Sequence, residues 1–260
     1  MRLSFSKYEG TGNDFVMIDG IHQEVPELTA EKISYLCDRK FGIGADGLIV
    51  LRKSDNSDFY LDYYNADGSQ SFCGNGARSS VMFARQIGII EEESCFEAID
   101  GIHRAEIQGA EVALEMLAVH SMEQLDKNHF VLDTGSPHYI SFRNNLKDVD
   151  VVGEGARIRY SAPYQEAGIN VNFVELLGPK DLMVYTYERG VEDETLSCGT
   201  GVTAVALAYA RKNGLSGEME IALTTKGGYL KVRFVKEGES FDPIYLIGPA
   251  KFVFDGRIEL

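Results

Sequence analysis

Two copies of a Cys-Gly-X-Gly turn, Cys73-Gly74-Asn75-Gly76 and Cys198-Gly199-Thr200-Gly201, each open an apolar stretch of helical period. The cysteines stand 125 positions apart (198 less 73), and each follows a strand-like segment ending in an acidic, polar turn. Asn65-Ala66-Asp67-Gly68-Ser69 precedes the first, while Glu188-Arg189-Gly190 and Glu194-Thr195 precede the second. Gly12-Asn13-Asp14-Phe15-Val16 and Asn170-Val171-Asn172-Phe173-Val174 read as a further related pair. A chain duplicated in this way folds most simply as two similar α/β halves with a cleft between them, a preferred setting for small ligands.

The interleaving of elements agrees with that reading. In the first third, strands are expected at Phe15 to Ile18, Gly47 to Leu51 and Phe59 to Tyr64, with helices at Thr29 to Lys40 and Cys73 to Ile87. In the second half, Gly168 to Leu177 and Asp181 to Tyr187 form a hairpin around Gly178-Pro179, and a helix is expected over Val202 to Lys212. A last hairpin, Glu220 to Val235, turns at Gly227-Gly228, and strands follow near Ile244 and Phe252. The polar stretch Ser121 to Asn128 is the best candidate for a domain junction.

With 44% hydrophobic residues in 260, the chain can fill one large core or two modest ones. A formal charge of -15 argues against nucleic acid or an anionic membrane as the main partner. Met1 to Gly10 lacks the apolar core of a signal peptide and no apolar run is long enough to span a bilayer, so a cytoplasmic location is expected. The four cysteines form no CxxC and the histidines do not cluster, so no metal site or disulfide scaffold is expected. Cys37 shares a helical face with Ile33 and Leu36 behind a Thr29 N-cap, and Cys95 lies in a strand ending at Asp100-Gly101; both read as structural.

A helix start offers unpaired amide N–H groups and the positive end of the helix dipole, which acidify a cysteine and hold an anion. Two such ends facing each other make a two-thiol acid/base site. The chemistry that needs one is removal of the alpha hydrogen of an amino acid without an electron-sink cofactor: one thiolate takes the proton and a second thiol delivers one from the opposite face. The two titrations are then coupled. Gly74, Asn75, Gly199 and Thr200 are the amide donors for the substrate carboxylate. Glu188 and Arg189 suit an ammonium and a carboxylate, Asn13, Asn65 and Asn170 suit a distal polar group, and His138 suits proton movement. Each has a plainer alternative: a packing turn for Cys-Gly-X-Gly, a structural imidazole for His138, a surface ion pair for Glu188-Arg189 and ordinary turn residues for Asn13 and Asn65.

These residues lie in motifs that resemble the diaminopimelate epimerase family almost end to end: Gly10-Thr11-Gly12-Asn13-Asp14-Phe15, Gly42-Ile43-Gly44-Ala45-Asp46-Gly47, Tyr64-Asn65-Ala66-Asp67-Gly68-Ser69, Cys73 to Arg78, Pro137-His138, Asn170 to Phe173 and Glu188 to Gly201. The resemblance implies an isomerase of lysine and peptidoglycan precursor synthesis that uses neither pyridoxal phosphate nor metal. It also implies two pseudo-symmetric α/β (α+β) domains, each a sheet wrapped around a central helix, with the active site in the cleft. The final strand is expected to return to the first domain, giving residues 1–118 with 251–260, and 119–250. Carried over, Cys73 and Cys198 are the base and acid with His138 and Glu188 beside them. Asn13, Asn65, Asn170, Glu188 and Arg189 become substrate contacts, and Gly74-Asn75 and Gly199-Thr200 the carboxylate-binding helix starts. A homodimer is implied as well. Two positions depart from the family: some members have glutamine where Gly47 stands, and asparagine is usual at Ser136. Other functions compatible with two matched thiols are a proline- or hydroxyproline-type racemase, a non-catalytic amino-acid-binding protein and a regulatory Cys73–Cys198 disulfide.

Overall fold

The computed structural model describes residues 1–260 and divides them into two compact units, Met1–Leu114 with Gly248–Leu260, and Glu115–Ile247. In the first unit the order is β1 (Arg2–Gly10), β2 (Asn13–Asp19), α1 (Ala30–Cys37), β3 (Gly47–Arg52), β4 (Phe59–Asn65), α2 (Gly74–Gln86), β5 (Glu93–Ala98), β6 (Gly101–Gln108) and β7 (Glu111–Met116). The last strand of the chain, Lys251–Glu259, runs antiparallel to β1. The second unit holds β8 (Glu123–Gln124), β9 (His129–Asp133), β10 (Pro137–Arg143), α3 (Val151–Arg159), β11 (Asn170–Gly178), β12 (Asp181–Glu188), β13 (Asp193–Thr195), α4 (Gly199–Lys212), β14 (Gly217–Thr225), β15 (Gly228–Glu237) and β16 (Ser240–Pro249). Ser121 to Asn128 lies inside this unit and contributes the short β8, which pairs with β9.

Strand pairing repeats between the units. From β1 to β7 successive pairs run antiparallel, parallel, antiparallel, parallel, antiparallel, antiparallel. The series β9, β10, β11, β12, β14, β15, β16 runs in the same order. The helices fall at matching crossovers: α1 and α3 after the second strand of each series, α2 and α4 after the fourth. This equivalence corrects one sequence pairing. Asn13 opens β2, the counterpart of β10, whereas Asn170 opens β11, the counterpart of β3, so these two motifs are not repeats of each other. Asn65, at the end of β4, is instead the counterpart of Glu188, at the end of β12.

The middle strands are covered on both faces, which is why they read as unbroken apolar runs. Val16, Ile18, Leu48 and Val50 pack with Ile33, Leu36 and Cys37 of α1, and Thr29 caps that helix as the sequence suggests. In the second unit Val171, Phe173 and Tyr187 pack with Val151. The helix α3 is masked in the sequence by Gly153 and Gly155; the Asp150 carboxylate caps it by accepting the Gly153 N–H at 3.0 Å. Gly155 permits it to seat on β12, because a Cβ there would lie 2.5 Å from that of Tyr187.

The central helices are enclosed on every side. All residues from Gly201 to Ala210 of α4 are buried, as are Asn75 to Val81 of α2. Their inward hydroxyls turn back on the helix backbone: Ser79 donates to the Asn75 carbonyl at 3.0 Å, Ser80 to Gly76 at 2.9 Å and Thr203 to Gly199 at 3.0 Å. Both helices begin immediately after a cysteine in extended conformation, Cys73 and Cys198. At Gly201 a Cβ would sit 2.5 Å from Asn172 Oδ1 on β11, so only glycine lets the α4 start approach that strand. Gly201→Ala is therefore expected to lower unfolding stability by about 1–3 kcal/mol in chemical denaturation; a variant as stable as the parent contradicts this packing.

Candidate active site

In the first unit the start of α2 is the hub. Asn75 donates from Nδ2 to Asn13 Oδ1 at 2.7 Å and accepts on Oδ1 from Arg78 Nη2 at 2.9 Å; the same Nη2 donates to Thr11 Oγ1 at 2.8 Å. Thr11 and Gly12 have φ of 54° and 92° and form the tight turn between β1 and β2. Positive φ is strained for a β-branched residue, and the buried Arg78 contact helps to hold it there.

Asn13 is fixed at its other end as well, donating from Nδ2 to Asp46 Oδ2 at 2.9 Å. Asp46 in turn accepts from Arg39 Nη2 at 2.8 Å, and Arg39 grips Asp14 with both terminal nitrogens at 2.9 and 2.6 Å. Lys7, buried on β1, reaches Asp14 at 2.8 Å and also bonds the Gly44 carbonyl. Burial alone would raise the Asp14 carboxyl, but the hydrogen bonds from Arg39 and Lys7 more than reverse it, to about 2. The two glycine-rich loops thus lock Asn13 in one orientation beside the helix start.

Asn65 is spent largely on its own turn: its Nδ2 donates to Ser69 Oγ at 3.0 Å and Ser71 Oγ at 3.2 Å, and its Oδ1 accepts from Tyr63 at 3.1 Å. Tyr63 also accounts for Gly47. Gly47 lies opposite Asn65 in the β3–β4 ladder, and a Cβ there would fall 2.5 Å from Tyr63 Cε2 and 2.9 Å from its hydroxyl. The phenol occupies the place a side chain at position 47 would take.

The second unit carries a different polar set at the same topological place. His138 on β10 lies opposite Asn170 on β11, and Asn172 follows two residues on. Thr186 donates to Asn172 Oδ1 at 2.9 Å, which leaves Asn172 Nδ2 to donate to His138 Nδ1 at 3.1 Å. The imidazole proton therefore sits on Nε2, which donates to Thr200 Oγ1 at 2.9 Å; that hydroxyl is 3.5 Å from Cys198 Sγ. No spacing in the sequence ties His138 to a cysteine, but the fold does so through one hydroxyl. Complete burial, with a smaller contribution from Arg189, pushes the imidazole down to about 3, so it is neutral at physiological pH.

Asn170 gathers the remaining candidates. Its Nδ2 donates to Ser136 Oγ at 2.8 Å and the Pro137 carbonyl at 3.1 Å, and its Oδ1 accepts the Arg189 N–H at 2.9 Å. The Arg189 guanidinium is exposed and donates to the Ala167 carbonyl at 2.9 Å, so it is no partner of Glu188 as a surface pair would be. Glu188 is half-buried at the end of β12, and desolvation raises its carboxyl above the usual range. Cys37 is core, with its thiol pushed up to about 11 by burial, and Cys95 is a half-buried strand residue, as the sequence suggests. Sequence reasoning passed over Arg78, Asn172 and Tyr63. Asn172 is signalled by its two-residue spacing from Asn170, and Arg78 by a cation among small residues of a helix, whereas Tyr63 follows only from the ladder register.

A buried neutral histidine has a stability signature. Its folded-state value lies below the ordinary 6.5, so the unfolded chain binds the extra proton between about pH 6.5 and 3 and stability falls as pH is lowered through that window. Denaturation of the wild type should steepen there by up to about 1.4 kcal/mol per pH unit relative to His138→Gln. Parallel curves for the two proteins contradict a neutral buried His138.

The comparisons with known proteins follow the same lines. The family model for diaminopimelate epimerase matches residues 5–118 and 130–253. The diaminopimelate epimerase of Flavobacterium psychrophilum is 49% identical over 254 residues, covering 97% of this chain and 98% of that protein. That of Chlorobaculum tepidum is 44% identical over 260 residues, covering 96% and 99%. Among solved structures, a Bacillus anthracis phenazine biosynthesis protein of the PhzF family superposes with a TM-score of 0.77 at 16% identity over 100% of both chains. A probable proline racemase from Agrobacterium radiobacter gives 0.69 at 14% identity, covering 99% of this chain and 93% of that one. These two share the fold, each with two halves built alike. Motifs, fold and relatives converge: this chain belongs to the diaminopimelate epimerase family.

Proposed function

We propose that the protein interconverts LL- and meso-diaminopimelate by moving a proton at one alpha carbon between Cys73 and Cys198, without a cofactor, as a step of lysine and peptidoglycan precursor synthesis. The observation that carries the reading is the duplication of a cysteine at the mouth of a helix whose first turns are buried, on topologically equivalent elements. One thiolate removes the alpha proton and the other thiol protonates the opposite face; the roles exchange in the reverse direction. Charge developing on the carboxylate is received by amide N–H groups of Gly74, Asn75, Gly199 and Thr200, which are oriented before substrate arrives.

The other residues serve these two groups. His138 is neutral and holds the Thr200 hydroxyl beside Cys198, so its part is to orient that hydroxyl at the sulfur. Glu188, its carboxyl raised by burial, is the group we assign to the substrate ammonium, which would neutralise it. Asn13 and Asn170, each held by bonds at both ends of its amide, offer rigid contacts to the distal amino-acid centre, with Asn65 and the Arg189 side chain at the ends of the equivalent strands.

The proline-type racemase in the same fold supports a second reading only at the level of fold, at 14% identity. The relatives at 44% and 49% identity favour diaminopimelate. Cys73→Ala and Cys198→Ala should each lose turnover of LL-diaminopimelate, by at least about 10³-fold for removal of an acid or base that no neighbour replaces. Near-normal turnover in either variant contradicts the two-cysteine mechanism, and turnover of proline in place of diaminopimelate contradicts the substrate.

A further inference from the structure

The two cysteine turns repeat in sequence and topology but differ in electrostatics. Five residues after Cys73 stands Arg78; five after Cys198 stands Thr203. Both are fully buried. Thr203 is neutral and returns its hydroxyl to the Gly199 carbonyl at 3.0 Å. Arg78 is the largest fully buried side chain in the protein, and only its Nη2 is hydrogen-bonded, to Thr11 Oγ1 and Asn75 Oδ1; Nε and Nη1 make no hydrogen bond. Neither of those partners is charged. A buried guanidinium with neutral partners retains most of its charge for a nearby anion.

Burial pushes the guanidinium down to about 10, which leaves it charged at neutral pH, and the groups that act against that shift are Cys73 first and Glu9 second. Glu9 is engaged elsewhere, accepting the Gly12 N–H at 2.9 Å. Capping differs too. Cys73 Sγ accepts the Gly76 N–H at 3.5 Å, a fixed donor that favours an anionic sulfur. Cys198 Sγ makes no such cap and instead meets the Thr200 hydroxyl at 3.5 Å, a rotor that can donate to a thiolate or accept from a thiol. The groups behind that hydroxyl are neutral His138 and Asn172. The cation that acts on His138 is Arg189, which is exposed and screened by water. Glu188, half-buried at the end of β12, can add only negative charge to this unit and so disfavours a thiolate there.

We infer that the substrate-free enzyme holds its thiolate at Cys73 and its thiol at Cys198, and that the buried Arg78 is the positioning residue that sets this order. The inference rests on the two-cysteine reading above. In that state the enzyme is poised to deprotonate the epimer whose alpha hydrogen faces Cys73. The opposite epimer meets a proton on Cys198, and must bind the minor form in which the single proton has moved to Cys73. Arg78 thereby biases which direction of the reaction starts from the populated form.

The test reads each sulfur separately. Reduced, substrate-free full-length protein is pulsed with iodoacetamide across a pH series, and carbamidomethylation of Cys73 and Cys198 is quantified by peptide mass spectrometry. The pH midpoint is the readout, because access alone changes the rate and leaves the midpoint in place. The Cys73 midpoint should lie below that of Cys198. Arg78→Gln should raise the Cys73 midpoint by about 1–3 pH units and leave that of Cys198 in place, whereas Arg78→Lys should stay near the wild type. Equal or reversed midpoints in the wild type overturn the inference, as does an unmoved Cys73 midpoint in folded Arg78→Gln. Should Arg78→Gln not fold, the wild-type order and the Arg78→Lys profile decide alone. Failure of the underlying reading looks different: turnover then survives Cys73→Ala or Cys198→Ala, while a reversed order with both alanine variants inactive overturns this assignment of thiolate and thiol and leaves the two-cysteine reading standing.

Discussion

A helix buried on every side can meet a polar ligand only at its ends, and at its start the unpaired N–H groups and the dipole both ask for negative charge. In each unit of this protein a sheet encloses one such helix, and each enclosed helix begins at a cysteine. Everything polar around the sites follows from that arrangement. Ser79, Ser80 and Thr203 close their hydroxyls onto the helix backbone, the apolar strands pack against its sides, and the helix mouth is left for chemistry. Glycine at positions 76 and 201 narrows the approach of helix to strand, most tightly at Gly201 against Asn172.

The duplicated frame carries unlike side chains. Near Cys73 the supporting groups are charged and rigid: Lys7, Asp14, Arg39 and Asp46 fix Asn13, and Arg78 lies fully buried within the helix. Near Cys198 they are neutral dipoles, Thr186, Asn172, His138 and Thr200, joined in one hydrogen-bonded chain. For the proton transfer we propose between the two thiols, such inequality defines the resting form, which two identical sites would leave undefined. The charged set also depends on pH in a definite direction. Asp14, held near 2, keeps its stabilising contribution at neutral pH and loses it only as pH falls below the ordinary carboxylate range toward that value.

Much of this was legible in the chain. The paired Cys-Gly-X-Gly turns announce the duplicated helix starts, and the alternation of strand and helix follows from apolar runs and turn residues. What escaped were features set by long-range register. Gly153 and Gly155 hide a helix that forms because Asp150 caps it and β12 needs a close neighbour. The likeness of Gly12–Val16 to Asn170–Val174 misleads, because short polar openings of strands look alike whether or not the strands are equivalent in the sheet. The role of Tyr63 cannot be read locally at all: it fills the space beside Gly47 only because β3 and β4 pair with Gly47 opposite Asn65. His138 is likewise silent in sequence, and its tie to Cys198 needs β10, β11 and the first turn of α4 brought together.

The most direct test of the two-base account is proton NMR of the reduced enzyme turning over LL-diaminopimelate in deuterium oxide, followed through the earliest part of the reaction. Because one sulfur takes the substrate proton and a different sulfur, already carrying a solvent deuteron, completes the product, the first meso-diaminopimelate formed should be deuterated at the inverted carbon while the remaining substrate stays protiated. Early meso product that retains the original alpha proton would mean that one base both takes and returns it, and would contradict the account.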